Sequence, residues 1–318
     1  MVALILGFQS LAAPKPVELV RTPLVKNPVV TYIEGTAFHK SPDSAEWLEV
    51  FPGDELRKDS TVRTEAASQL DLRLWTGSLV RLLPETVLEM ASLYQESIRL
   101  DVNTGGIVAK IGLLSGNQDF TIHTPTAVAG IRGTQLAVRM DGQATGVFGL
   151  SGKIAVALSQ DSDREVLLGA HEKSSVLPGA QPQTPAPMSP DEIAYYQNIL
   201  DSLRETIVFL VSDRIKFEPD SVILTQSSEL ELSKIYLLLR DRDLRIRIIG
   251  HSANLGPLQE QIDISRQRAQ AVKDYLVAAG IPASRLETEG VGGSRPLTDK
   301  TDPASLESNR RVEFVVVE

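Results

Sequence analysis

The stretch LRIRIIGHSANLGPLQEQIDISRQRAQAVKDYLVAAG, residues 244–280, reads as a strand, a polar loop and a long helix. Apolar side chains alternate with arginines at its start, the period-two pattern of a strand with one buried face: Leu244, Ile246 and Ile248. From about residue 259 to 279 the apolar positions follow helical spacing instead: Ile262, Ala269, Val272, Leu276 and Ala279. Gly280 and Pro282 form an ordinary helix stop. The stretch therefore predicts a β-loop-α unit.

The flanking segments extend this unit to an α/β domain over residues 206–318. TIVFLV and RIKF are strand-like, and SSELELSKIYLLLR predicts a helix with a capping box of Ser228 and Glu231. RLETEG and RRVEFVVVE supply the last strands. Alternating strands and helices predict helices packed on a mixed sheet. The polar loop GHSANLG, residues 250–256, is a natural place for a binding site, and we expect Ala253 to be a surface residue of that loop.

Proline-rich sequence separates this domain from the chain before it. PGAQPQTPAPMSP, residues 178–190, has five prolines and predicts an extended, semi-rigid linker. Residues 191–205 predict a connecting helix that begins near Ser189 or Asp191. One apolar stripe along it would be buried: Ile193, Tyr196, Ile199, Leu200 and Leu203.

Residues 28–177 predict an all-β domain. LDLRLW, SLVRLL, SIRLDV and QLAVRM alternate at period two, and turn signals such as Pro52-Gly53-Asp54 and Asp141-Gly142 separate the strands. Many short strands at this spacing are typical of a sandwich, barrel or solenoid.

Composition narrows the function class. The net charge of −9 argues against a nucleic-acid partner, and the absence of cysteine excludes disulfides, cysteine metal sites and cysteine nucleophiles. Residues 1–13 hold a short apolar run and then small residues, so we expect a truncated signal peptide there. We expect no transmembrane span, because no apolar segment approaches the ~20 residues that one requires.

Two families are recognisable in these segments. WLEVFPGDELRKDSTVRTEAASQLDLRLWTGSLVRLLPETVLEM and FTIHTPTAVAGIRGTQLAVRM resemble the FecR domain family. This likeness implies a periplasmic β-rich domain that senses or binds a partner. IRIIGHSANLG, QIDISRQRAQAVKDYLVAAGIPASRLETEGVGGSRP and ESNRRVEFVV resemble the OmpA C-terminal domain, which associates with peptidoglycan in the bacterial envelope, in some cases at the outer membrane.

The OmpA resemblance implies a clamp for the zwitterionic diamino acid of the peptidoglycan stem. An arginine fork suits the carboxylate, and an aspartate suits the ammonium. The matching arginine is Arg268, but Ala253 stands at the aspartate position and Gln261 at the family's asparagine. The other candidate ligand residues lie in or near the matching motifs: Glu218, Asn254, Asp263 and Arg310.

Ala253 leaves three interpretations open. The site is inactive, a nearby acid such as Asp263 or Glu218 replaces the missing charge, or the recognised wall differs in its third stem residue. We expect a non-catalytic envelope protein with no cofactor and no metal, since the sequence contains neither a metal-binding HExxH pattern nor a GxSxG nucleophile elbow. Its expected partners are peptidoglycan and an envelope protein bound by the β domain. The alternative is a regulatory protein in which both domains bind proteins.

Overall fold

The structure is a computed structural model that describes residues 25–94, 96–112, 118–212, 214–218, 221–298 and 301–317. These are called the described residues. The predicted signal peptide, residues 1–13, lies outside them.

Short strands fill the first half of the described chain. Their bounds are β1 Val29–Glu34, β2 Ala37–Lys40, β3 Leu48–Glu49, β4 Thr61–Thr64, β5 Gln69–Arg73, β6 Leu79–Leu82, β7 Val87–Tyr94, β8 Ser97–Thr104, β9 Gly106–Lys110, β10 Asp119–His123, β11 Ala127–Ile131, β12 Gln135–Asp141, β13 Ala144–Ser151, β14 Ile154–Leu158, β15 Asp161–Leu168, β16 Glu172–Val176 and β17 Ala186–Pro187. Within the described residues they form an eight-stranded sheet, β1-β5-β6-β9-β12-β13-β16-β17, and a nine-stranded sheet, β15-β14-β11-β10-β8-β7-β4-β2-β3. Apolar side chains from both sheets form one core, including Leu70, Leu72, Leu100 and Phe120.

A helix covers the outer face of the eight-stranded sheet. Helix α1, Pro190–Asp201, begins at Ser189, whose side chain accepts from the Glu192 N–H in a capping box. The predicted apolar stripe packs against this sheet face together with Met188. The Pro-rich segment also follows the sheet, because β17 pairs with β16 and the Gln183 N–H donates to the Ser175 carbonyl at 2.9 Å.

Polar contacts join the end of α1 to the same sheet. The Arg81 guanidinium donates to both carboxylate oxygens of Asp71, at 2.5 and 2.7 Å. It also donates to the Ser202 hydroxyl at 2.6 Å, and Asp71 accepts from the Arg204 N–H at 3.0 Å. On the other side of the domain boundary, the Arg242 guanidinium lies over the Phe51 ring, 4.4 Å from its centroid. The β region therefore contacts the chain both at the end of α1 and within the C-terminal domain.

The second half is an α/β layer, which confirms the predicted fold class. Its elements are β18 Val208–Ser212, α2 Gln226–Arg240, β19 Ile246–His251, α3 Leu258–Ala279, a 3-10 turn Ala283–Arg285, β20 Leu286–Gly292, α4 Pro303–Asn309 and β21 Val312–Val316. In the described residues the sheet order is β18-β21-β19-β20, and β19 pairs with β20 in parallel. Helices α2 and α3 bury one face of this sheet through a core that includes Leu232, Leu276 and Phe314. None of the helices in the described part of the chain combines the length and apolarity that crossing a bilayer requires.

Two local predictions for this domain are wrong. RIKF is not a strand of the sheet; Phe217 forms only a single bridge with Leu224. The predicted capping box of Ser228 and Glu231 does not form, because Thr225 caps α2 and accepts from the Ser228 N–H. Ser228 lies inside the helix, where its hydroxyl donates to the Lys216 carbonyl at 2.7 Å and accepts from the Lys216 N–H at 2.6 Å. Ser228 thus holds the segment around Lys216 against α2.

Close contact between α3 and the sheet depends on glycines. A methyl group on Gly250 would overlap the carbonyl oxygen of Ser265, and one on Gly290 would overlap the backbone of Arg266. Gly280 ends α3 with φ +119°, a left-handed conformation that suits glycine. These contacts fix the first turns of α3 against the strand that precedes the polar loop.

Candidate functional site

A cavity of about 130 Å³ opens at the end of β19, beside α3 and the junction of α4 with β21. Cationic side chains dominate its lining: Lys216, Arg268, Arg310 and Arg311. Glu307 is the carboxylate that lines it among the described residues. A small enclosure with this excess of positive charge favours a carboxylate or another anionic group.

Arg268 is held in place within this cavity. It projects from α3, is partly buried, and its guanidinium lies 5.0 Å from the centroid of the Phe217 ring. Its Nε donates to the Ser221 carbonyl oxygen at 3.2 Å. Phe217 follows Lys216, which Ser228 anchors to α2, so the platform under the guanidinium is itself fixed. A pre-positioned guanidinium loses less conformational entropy when it binds a carboxylate.

Glu307 connects two of the cations that line the cavity. One carboxylate oxygen pairs with the Lys216 ammonium, and the other accepts from the Arg310 guanidinium at 2.9 Å. The hydrogen bond from Lys216 is the largest cause that holds the pKa of Glu307 below its usual value. Glu307 was not among the residues predicted from the sequence. The available signal was its position three residues before Arg310 on a short helix, where opposite charges pair.

Two lining residues, His251 and Arg311, belong to a buried group that also includes Glu313 behind the cavity. Arg311 donates to Glu313 at 2.8 Å, and His251 Nε2 lies 3.4 Å from the same carboxylate. Burial lowers the pKa of His251 and of Arg311. Burial alone would raise the pKa of Glu313, but the neighbouring His251 and Arg311 outweigh it and bring the pKa to about 2. The result is an Arg–Glu ion pair beside a neutral imidazole.

The imidazole of His251 has unused hydrogen-bonding capacity. Its side chain is buried, and neither ring nitrogen makes a hydrogen bond of acceptable geometry with the described residues. A buried polar atom without a partner is rare enough to call for an explanation. Because His251 lines the cavity, a bound ligand or water is one available partner.

The structure separates the predicted site residues into two groups. Arg268 and Arg310 line the cavity together. Four other predicted residues do not line it: Glu218, Asn254, Gln261 and Asp263. Asp263 pairs with Arg266 at 2.6 Å on the exposed side of α3. The Gln261 amide connects two loops, since Nε2 donates to the Gly256 carbonyl at 2.7 Å and Oε1 accepts from the Gly293 N–H at 3.0 Å.

Ala253 is not a surface residue, contrary to the sequence-based expectation. It is only 5% exposed. The loop folds back on the end of β20: the Ser252 N–H donates to the carbonyl of Gly292, the last residue of that strand, at 2.9 Å. A methyl group on Gly293 would overlap the backbone of Asn254, which shows how closely the two segments pack. A carboxylate introduced at position 253 would therefore be desolvated in the free protein.

Among the described residues, no group of three or more His, Asp or Glu side chains is placed to hold a metal ion. The described lining offers charge recognition by arginine and lysine, with the Glu307 carboxylate and the His251 imidazole as further partners.

Comparisons with known proteins agree with this division of the chain. The family model described as the OmpA family matches residues 216–310, and the model described as FecR protein matches residues 60–155. Outer-membrane lipoprotein YfiB of Pseudomonas aeruginosa is 32% identical over 143 residues, which are 44% of this chain and 85% of that protein.

Two further comparisons concern shorter parts of the chain. Peptidoglycan-binding protein ArfA of Mycobacterium tuberculosis is 40% identical over 74 residues, 23% of each chain, so this chain spans about a quarter of that relative's length. The solved peptidoglycan-associated lipoprotein of Burkholderia pseudomallei is 24% identical, with 32% of this chain and 88% of that chain covered and a TM-score of 0.31.

Proposed function

Because the chain belongs to the OmpA family through its C-terminal domain, with a FecR domain before it, we propose that it is a non-catalytic protein of the bacterial cell envelope, periplasmic and associated with peptidoglycan. The observation that carries the proposal is the position of Arg268, fixed over Phe217 in a cavity that Lys216, Arg310 and the Glu307 carboxylate also line. Relatives whose names refer to peptidoglycan support it.

The ligand that fits this cavity is the end of a diamino-acid side chain in the peptide stem. Its carboxylate would accept from Arg268 and Arg310, whose forks favour planar anions. Its ammonium would face Glu307, which takes the role that an acid at position 253 would have had. Neither Asp263 nor Glu218 lines the cavity, so Glu307 is the better replacement for the missing charge.

Competition for the Glu307 carboxylate limits the affinity, because a ligand ammonium must displace Lys216 and Arg310 from it. Glu307 already forms ion pairs with both side chains, and a ligand must compete with them. A lost hydrogen bond to a charged group weakens binding by roughly 1.5–3 kcal/mol, or ~10–100-fold. We therefore expect wall binding that is weaker, or more selective for stems rich in carboxylates, than binding by a domain with an aspartate at the loop position.

A second surface supports partner binding by the β domain. A cleft of about 690 Å³ lies between α1 and the outer face of the eight-stranded sheet. Phe148, Tyr195 and Tyr196 line it, and Tyr195 is 49% exposed. Aromatic side chains with a polar rim are typical of protein-binding sites. We propose this cleft as the site for an envelope protein.

Sedimentation of the full chain with purified peptidoglycan sacculi tests the wall-binding proposal. The wild type should sediment with sacculi in excess of an unrelated control protein. Arg268→Ala should reduce bound protein by ~10-fold or more, since it removes a charge-assisted contact. Arg266→Ala is the matched control, because Arg266 lies on the exposed side of the same helix and pairs with Asp263.

Glu307→Gln tests the proposed ammonium contact separately. It should weaken binding to sacculi whose stems carry a diamino acid, and it should have less effect when the free amino groups are acetylated. If the wild type sediments no more than the control protein, the wall-binding proposal fails and the alternative of a purely protein-binding regulator remains.

A further inference from the structure

The sheet of the C-terminal domain has a second cavity on the face away from its helices. Side chains that point away from the core line it, among them Arg247, Glu289 and Glu313. The chain between α1 and β18 closes one side, and the turn after β20 closes another, through Arg204 and Arg295. The cavity measures about 370 Å³ and borders the β domain, since the Arg204 guanidinium lies 5.8 Å from the centroid of the Tyr32 ring.

Four arginines and two glutamates line this cavity: Arg204, Arg247, Arg295, Arg311, Glu289 and Glu313. Arg311 pairs with Glu313 at 2.7 Å, and Arg247 lies 3.7 Å from Glu289. Within the described residues, neither Arg204 nor Arg295 has an ion pair or a side-chain hydrogen bond. The guanidinium groups of Arg204 and Arg295 thus both line the cavity without an ion-pair partner among the described residues.

The electrostatics of the neighbouring groups agree with this geometry. After burial, which is the largest cause, the charge of Arg204 contributes to the lowered pKa of Arg311. The charge of Arg295 contributes in the same way to the lowered pKa of His251, which also lines this cavity. Positive charges therefore face each other across the space, an arrangement that a bound anion would stabilise. The buried imidazole of His251 lines this cavity too, and it has no hydrogen-bond partner among the described residues, so its ring nitrogens are available to a polar ligand.

We propose that this cavity binds a doubly charged oxyanion, a phosphate monoester or a dicarboxylate, between the guanidinium groups of Arg204 and Arg295. Arginine presents paired N–H donors to both kinds of oxyanion. The formal excess of two positive charges, four arginines against two glutamates, matches a dianion. Because Arg204 belongs to the segment that joins the domains, a bound anion would connect that segment to the turn at Arg295.

Isothermal titration calorimetry of the full chain, at constant ionic strength, tests this site with inorganic phosphate and with succinate as separate probes. We expect one site per chain for at least one probe. The double variant Arg204→Ala/Arg295→Ala should weaken that binding by ~100-fold or more, since each loss of a charge-assisted contact is worth ~10-fold or more. Binding of phosphate alone would identify the phosphate class, and binding of succinate alone the dicarboxylate class.

Two controls keep the result interpretable. Arg266→Ala removes a positive charge from the exposed side of α3 and should leave anion binding unchanged. Arg295→Ala alone tests the site if the double variant folds poorly, because it changes only an exposed side chain. It should weaken anion binding by ~10-fold. If neither probe binds the wild type, or if Arg295→Ala binds as tightly as the wild type, the proposal is wrong. Sedimentation with sacculi is a separate measurement, so failure here does not count against wall binding.

Discussion

Arg81→Ala should strongly destabilise the β domain and loosen its junction with α1. The Arg81 side chain is 4% exposed and that of Asp71 is 0% exposed. Arg81 makes two hydrogen bonds to Asp71 and two more to Ser202, one to its hydroxyl at 2.6 Å and one to its carbonyl at 3.1 Å. Its removal leaves a buried carboxylate whose remaining described donor is the Arg204 N–H.

The size of the effect follows from that isolated charge. Removal of one partner from a buried ion pair costs about 3–5 kcal/mol. That is a large share of the roughly 5–15 kcal/mol by which a domain is stable. The pair Arg99–Asp101 provides a control of the same geometry, with hydrogen bonds of 2.7 and 2.8 Å, but its side chains are 45% and 20% exposed. For Arg99→Ala we expect about 1 kcal/mol or less, because solvent screens an exposed pair.

Urea denaturation followed by tryptophan fluorescence measures this difference. The two tryptophans, Trp47 and Trp75, both lie in the β region, so the signal reports on that domain. Limited proteolysis across residues 202–206 should also be faster in Arg81→Ala than in the wild type, because the contacts to Ser202 are lost. If Arg81→Ala and Arg99→Ala lower the free energy of unfolding equally, burial of the Asp71 pair is not what makes it important.

Three further predictions concern the C-terminal domain. Gly250→Ala should lower the free energy of unfolding by about 1–3 kcal/mol or more, because the added methyl group would overlap Ser265. The control Gly130→Ala should have little effect, because a methyl group there meets only ordinary contacts. Burial lowers the pKa of His251, so below about pH 6.5 the unfolded chain binds a proton that the folded chain excludes. The free energy of unfolding should therefore fall as the pH falls, and His251→Gln should make this dependence on pH less steep. Ala253→Asp should increase sedimentation with sacculi by ~10-fold or more and lower the melting temperature of the free protein. The reason for both is that the new carboxylate is desolvated until a ligand ammonium pairs with it. No change in either quantity would show that position 253 does not reach the ligand.

The local periodicity of the sequence predicted the strands and helices. It did not predict where the strand face opposite the core is covered by another part of the chain. In β5 the alternation places Leu70 and Leu72 in the sandwich core and Asp71 on the opposite face. Strand pattern alone makes such a residue a solvent-facing one. Asp71 is buried because the end of α1 returns to that face, more than a hundred residues later in the chain. No window of sequence the size of a strand contains that information.

The candidate site shows the same limit. Arg268 could be predicted because it belongs to a motif with fixed spacing along one helix. Ala253 was misplaced because a polar loop reads as exposed, whereas its burial depends on Gly292 and Gly293, about forty residues away. Glu307 was missed for a related reason, since its partner Lys216 lies 91 residues earlier in the sequence and only the tertiary fold brings the two together.

The buried group of His251, Arg311 and Glu313 relates the two cavities to each other. His251 and Arg311 line both of them, one cavity at the end of β19 beside α3 and the other on the opposite face of the sheet. Because Glu313 stays ionised and neutralises Arg311, while burial keeps His251 uncharged, the group adds no net charge to either cavity. The positive potential of each cavity must then come from its peripheral cations, Lys216 with Arg268 and Arg310 on one side and Arg204 with Arg295 on the other. Substitutions at the periphery should therefore affect one cavity at a time, whereas protonation of His251 would add one charge that both ligands experience.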